Sequence, residues 1–218
     1  ASDVYKRQLF WYDVLLEVEG EDVTEFEKTV DAYYSSVDFP EDVTMTFSSI
    51  GLKGQGFEET HILSFVSPSS QSLANLRASL SDEKWENYLD LVRPLVDNVR
   101  VSAGNASKVF NAEEFYPIGQ VWGFKVKSKY IPQFTIAFEK LMQTFDAPGF
   151  VGLANVTHGI SNGENLLIYG TYPNLNSAFT FGPNNEAEAS AFAEFFNVTG
   201  EISEFTQSWT RVKIQDYN

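Results

Sequence analysis

Apolar positions along this chain change period in a regular way. From Leu9 to Val18 they alternate inside a rich apolar run, the pattern of a strand. After Gly20 the spacing lengthens: Val23, Phe26, Val30 and Tyr33/Tyr34 predict an amphipathic helix, capped by Asp22 or Thr24 and running through Ser35, with Pro40 beyond its end. Strands follow over 44–52 and 60–66, joined by the polar turn Lys53-Gly54-Gln55-Gly56. A second helix spans Ser81 to Val92, with Ser81 as its expected cap. A fourth strand is faint, at Val99–Ser102 or Lys108–Phe110.

The same order then recurs. Gln120 to Lys127 alternates as a strand, and a helix runs from about Ile131 to Phe145 with Pro132 in its first turn, where its missing N–H costs little. Strands at 149–156 and 165–172, a helix from Glu186 to Phe196 and a strand from Phe205 to Ile214 complete it. Short fragments match directly: Phe26-Glu27-Lys28 with Phe138-Glu139-Lys140, and Ile50-Gly51-Leu52 with Val151-Gly152-Leu153. The order β-α-β-β-α-β, twice, predicts an α+β protein of two tandem ferredoxin-like units, 9–112 and 113–218. One such unit leaves a sheet face bare, and a tandem copy supplies its cover, so the two units predict a pseudo-dimeric barrel with helices outside.

Composition narrows the chemistry. Among 218 residues, 30 acidic against 15 basic side chains give a net charge of -15, which argues against nucleic-acid or anionic-membrane partners. Zero cysteines exclude disulfides, thiolate metal sites and cysteine nucleophiles. No apolar run is long enough for a membrane-spanning helix. Nucleotide-binding glycine loops, a nucleophile elbow and metal-site spacings do not occur, so no cofactor and no metal are expected. The start, Ala1-Ser2-Asp3-Val4-Tyr5-Lys6-Arg7-Gln8, resembles a translated sequencing adapter, so residues 1–8 are set apart as non-native. On that reading the chain is a metagenomic fragment whose natural start lies upstream, and the compartment, cytoplasmic or periplasmic/secreted, stays open.

Element order and repeat together resemble the dimeric α+β barrel superfamily, which includes antibiotic-biosynthesis-monooxygenase-like and stress-responsive barrel proteins. The resemblance covers about Leu9 to Gln215. It implies a small-molecule-binding barrel, because the superfamily holds cofactor-independent oxygenases, isomerases and haem-dependent enzymes. It carries over no catalytic residue.

The residues themselves offer few candidates. His158, before a glycine turn, and His61, opening a strand, are the two histidines and the candidate acid/base groups, since imidazole exchanges protons near neutral pH. The plainer role of each is a hydrogen-bonded structural histidine. Trp11, Tyr12, Trp122, Phe124, Tyr169 and Trp209 lie on predicted strands and are the candidate ligand-binding aromatics, with ordinary core packing as their other use. Three functions remain: an oxygenase or isomerase acting on a small apolar or aromatic molecule, a carrier that binds such a molecule without turnover, or an assembly protein. The chain is expected as a monomeric pseudo-dimer or a homo-oligomer.

Overall fold

The computed structural model describes residues 8–218, so the adapter-like reading of 1–8 falls, Gln8 apart, outside the described residues. The first half runs β1 (Leu9–Glu17), α1 (Val23–Tyr34), β2 (Thr44–Lys53), β3 (His61–Ser67), α2 (Ser70–Ser79), α3 (Glu83–Val92) and β4 (Asn98–Phe110). The second runs β5 (Ile118–Val126), α4 (Ile131–Met142), β6 (Val151–His158), β7 (Leu166–Tyr172), α5 (Leu175–Phe179), α6 (Glu186–Ile202) and β8 (Ser203–Tyr217).

The strands close into one antiparallel barrel in the order β1-β3-β2-β8-β5-β7-β6-β4. Each half contributes four neighbours in the ferredoxin-like arrangement, β4-β1-β3-β2 and β8-β5-β7-β6. The seams are β2 with β8 and β4 with β6, so each half pairs both edge strands of the other. Closure removes the exposed edges that a lone four-stranded sheet would present.

Alternation along the strands sorts side chains into three compartments. On β1, Tyr12, Val14 and Leu16 face the helices, whereas Leu15 joins Ile50, Phe57, Ile62, Val121 and Trp209 inside the barrel. Outside the first half, Phe26, Val30 and Tyr34 of α1 bury at helical spacing against Met45, Phe47 and Leu63. Outside the second half, Phe134, Phe138 and Leu141 of α4 pack with Phe192 and Phe195 of α6 on Leu153 and Leu166. Each such buried side chain contributes about 2–3 kcal/mol of transfer free energy, which is what holds the helices to the sheet.

The elements depart from the sequence expectations in several places, among them the short helix α5 and the longer end of α6. The two faint segments at 99–102 and 108–110 are ends of a single strand, β4, interrupted by bulges between Ala103 and Gly104 and between Ala106 and Lys108. Each bulge shifts the side-chain period, which is why the alternation looked broken. The helix α2 was not expected; it buries only Leu76, so its sequence carries little amphipathic signal. The cap of α3 is Asp82, which accepts from the Trp85 N–H at 2.9 Å, and not Ser81, whose hydroxyl donates to the Ala78 carbonyl at 3.0 Å.

Candidate functional site

A cavity of about 790 Å³ lies on the helix side of the first half. Its floor is sheet: Tyr12 and Val14 of β1, Phe65 of β3, and Val99, Val101 and Ala103 of β4. Its roof is α2 and α3, through Leu73, Leu76, Trp85, Tyr88 and Leu89. These helices are ten residues each, separated by Leu80-Ser81-Asp82, and each has only one or two fully buried side chains. Val99 and Val101 remain 51% and 41% exposed, which is unusual for valines on a sheet face beneath helices and marks the missing fill.

The walls are aromatic and ordered by mutual contact. Tyr33 stacks on Tyr88 with ring centroids 4.3 Å apart, and Tyr34 meets Tyr88 edge-on at 5.7 Å. Tyr12 lies 5.6 Å from Phe65. Burial pushes the Tyr33 phenol up to about 12 and those of Tyr34 and Tyr88 well above the ordinary range, so all three keep their protons at neutral pH. Polar groups sit at the rim. Arg77 lies over the Trp85 ring at 5.4 Å, and Arg93 pairs with Asp90 at 2.9 Å. An apolar body with a few polar groups at one side is the usual make-up of a small-molecule site.

His158 is one of the rim groups. It ends β6, and the turn that follows needs glycine: Gly159 has φ +70°, and a Cβ there would fall 2.1 Å from the Val101 carbonyl oxygen. That tight approach brings His158 from the second half to the edge of a cavity built by the first. Thr157 Oγ1 hydrogen-bonds His158 Nδ1 at 3.0 Å, so Nε2 is the ring nitrogen this bond does not engage.

The other named candidates disperse. Tyr12 lines this cavity, and Trp11 sits at its edge. His61 does not reach it: it is 2% exposed, packed between Phe26 and Phe47, with Nδ1 on Thr60 Oγ1 at 2.9 Å and Nε2 on Glu27 at 3.3 Å. Burial lowers its pKa, opposed by Glu27, the arrangement of a core histidine. Trp122 and Phe124 lie under the helices of the second half, and Trp209 and Tyr169 point into the barrel. Sequence reasoning did not single out Trp85 and Tyr88; their three-residue spacing on an amphipathic helix reads equally as core.

The equivalent space in the second half is filled. Phe145, Phe181 and Phe192 form a mutually edge-on cluster with centroids 4.9–5.9 Å apart, and about 90 Å³ is left beside them. Among the described residues no group of three His, Asp or Glu side chains is placed to hold a metal ion, and no helix is long and apolar enough to cross a membrane.

No protein-family model matches the sequence, and no curated protein is similar to it. Solved structures are. A candidate monooxygenase from Fusobacterium nucleatum superposes with a TM-score of 0.67 at 12% identity, covering 97% of this chain and 94% of that one. A candidate monooxygenase from Lactobacillus acidophilus gives 0.64 at 12% identity over 98% and 97%. An anthrone oxidase-like protein gives 0.64 at 11% identity over 98% and 94%. At such identities the likeness is one of fold: this chain has the α+β barrel fold of those structures, with all eight strands of the barrel in one polypeptide.

Proposed function

We propose that this protein binds a small aromatic or largely apolar molecule in the cavity of the first half and acts on it without a bound cofactor. The observation that carries this reading is the contrast within one fold: about 790 Å³ kept open beneath α2 and α3, against about 90 Å³ in the other half. Keeping that much apolar space unfilled forgoes packing energy that a purely structural protein would use. The rings of Tyr12, Tyr34 and Tyr88 and the indole of Trp85 line it and give flat surfaces for stacking a ring.

Among reactions, the rim supports proton abstraction. His158, hydrogen-bonded through Nδ1, accepts a proton at Nε2 from an acidic C–H of the bound molecule. Returning that proton to a different carbon is an isomerisation. Transfer of electrons from the resulting carbanion to dioxygen is an oxygenation, in which a ring-activated CH₂ becomes C=O and water leaves. The structural neighbours described as monooxygenase- or anthrone oxidase-like favour the second. Assembly without a ligand is the weaker reading, because the seams that would pair with other chains are already closed within the barrel.

The test is titration with 2-naphthol followed by tryptophan fluorescence, then oxygen uptake with anthrone. Saturable quenching that disappears in Val101→Trp, and uptake that falls at least about a hundredfold in His158→Ala, are expected. Absence of saturable binding would refute the site, and uptake unchanged in His158→Ala would refute the role of the histidine.

A further inference from the structure

The barrel interior holds two arginines in different circumstances. Arg100 meets a carboxylate, with Nε 2.8 Å from Glu59 Oε1. Arg211 is 6% exposed and has no carboxylate within ion-pair distance among the described residues. Its guanidinium donates to Ser48 Oγ at 2.7 Å and to the Tyr169 hydroxyl, both neutral oxygens. Asp13 faces the same space from β1 but is engaged by Ser64, whose hydroxyl donates to it at 2.5 Å. A buried guanidinium has five N–H donors, and leaving it without an anion at contact distance costs several kcal/mol.

A second donor nearby is also unused. The indole N–H of Trp11 is buried and has no hydrogen-bond partner. Trp11 and Arg211 line one cavity of about 110 Å³, floored by Ile62, Val121 and Leu167. It adjoins a space of about 260 Å³ at the barrel mouth, and Arg211 lines both.

Room for this arrangement is built into the strand register. Trp11 is opposite Gly104 on β4, and Arg211 is opposite Gly119 on β5. A Cβ at 119 would lie 2.5 Å from the Tyr169 hydroxyl and 2.8 Å from Arg211 Nε, so glycine is required for the pair to fit. The corresponding strand pairs of the two halves, β1 with β4 and β5 with β8, thus each set a large side chain opposite glycine, as Trp11 on β1 and as Arg211 on β8.

We propose that the barrel interior at Arg211 is a second binding site, which takes the carboxylate of a small organic acid and lays its apolar body along Trp11 and the surrounding aliphatic side chains. A planar carboxylate matches the guanidinium fork and carries a single charge. A phosphate dianion fits less well, because Asp13, Asp42 and Asp216 all face this end of the barrel. Lys213, the other cation there, is tied to Asp216 at 2.6 Å, and Asp42 accepts from Ser67 and Ser72. The 110 Å³ space alone is smaller than the void of about 150 Å³ that holds a benzene ring, but together with the adjoining 260 Å³ it takes an acid of butyrate to benzoate size.

Calorimetric titration of the whole chain with butyrate and benzoate, each against its neutral amide, tests this at pH 5.5 and low salt. At least one carboxylate is expected to bind with a Kd below about 5 mM and at least tenfold tighter than its amide. Arg211→Gln should abolish that binding, and Val101→Trp, which fills the helix-side cavity, should leave it unchanged. Trp11→Phe, which removes only the indole N–H, should weaken it about three- to tenfold. Should Arg211→Gln fail to fold, Trp11→Phe decides. Equal affinity for acid and amide, no heat from either acid to about 20 mM, or an unaltered Kd in Trp11→Phe would overturn the proposal.

Discussion

The two halves of this barrel share a strand order and differ in what lies between sheet and helices. In the second half, α6 runs 17 residues and lays Phe192 and Phe195 flat on the sheet. Phe181, just after the five-residue α5, plugs the remaining gap against Trp122, Phe145 and Tyr172. In the first half the corresponding helices, α2 and α3, are ten residues each in place of five and 17, and a cavity of about 790 Å³ lies between them and the sheet. The barrel therefore carries one closed copy, which supplies packing, and one open copy, which supplies space. The open copy is completed by the closed one, since β6 brings His158 to its rim. A duplicated unit can specialise in this way because stability and binding make opposite demands on the same interior.

That contrast predicts unequal costs for removing aromatic rings. Phe134→Ala, at a fully buried position of the closed half, should destabilise by about 3–5 kcal/mol in chemical denaturation. Trp85→Ala in the open half should cost less than about 2 kcal/mol, because the ring already borders empty space. Equal costs would erase the distinction between the halves.

Titration separates the barrel interior from the core around it. Desolvation pushes Asp13 from 3.8 up to about 6, with the Ser64 hydrogen bond and Arg211 opposing it. The folded state holds the proton more tightly than the unfolded chain, so this group lowers stability as pH rises from about 4 to about 6. Asp13→Asn should gain up to about 3 kcal/mol on the parent between pH 4 and pH 8, measured by urea denaturation at both. His61 acts in the opposite sense. Burial lowers its pKa, so the unfolded chain takes up the proton first, and stability falls as pH drops below about 6.5. His61→Gln should remove that acid-side loss, and a pH profile identical to the parent's would contradict the buried neutral imidazole. The smallest effect on stability belongs to His158→Ala, which should stay within about 0.5 kcal/mol because the ring is at the surface.

Much of the architecture was legible because two signals reinforced each other. Period-two runs such as Leu9–Val18 and 3–4 spacing such as Phe26/Val30 marked element types, and their recurrence in one order marked the duplication. What escaped were elements whose burial is slight or irregular: α2 with a single buried residue, and β4 with two bulges. The site was less legible for a related reason. Tyr12, Trp122, Tyr169 and Trp209 are all strand aromatics, yet they occupy three separate compartments of the closed barrel. Alternation tells which residues share a face of one strand; it does not tell which face will be left uncovered. That depends on how α2 and α3 cover the sheet, a property of the tertiary arrangement. Arg211 was equally hidden, since a basic residue on a terminal strand reads as solvent-facing until the barrel closes around it.

The central claim is that the open half holds a small aromatic ligand and the closed half does not. Methyl NMR of the leucine and isoleucine side chains during titration with 2-naphthol tests it directly. Saturable shifts should appear at Leu73, Leu76 and Leu89, with Leu141, Leu166 and Ile168 unmoved. Shifts centred on the second set, or none at either set up to the solubility of the probe, would contradict it.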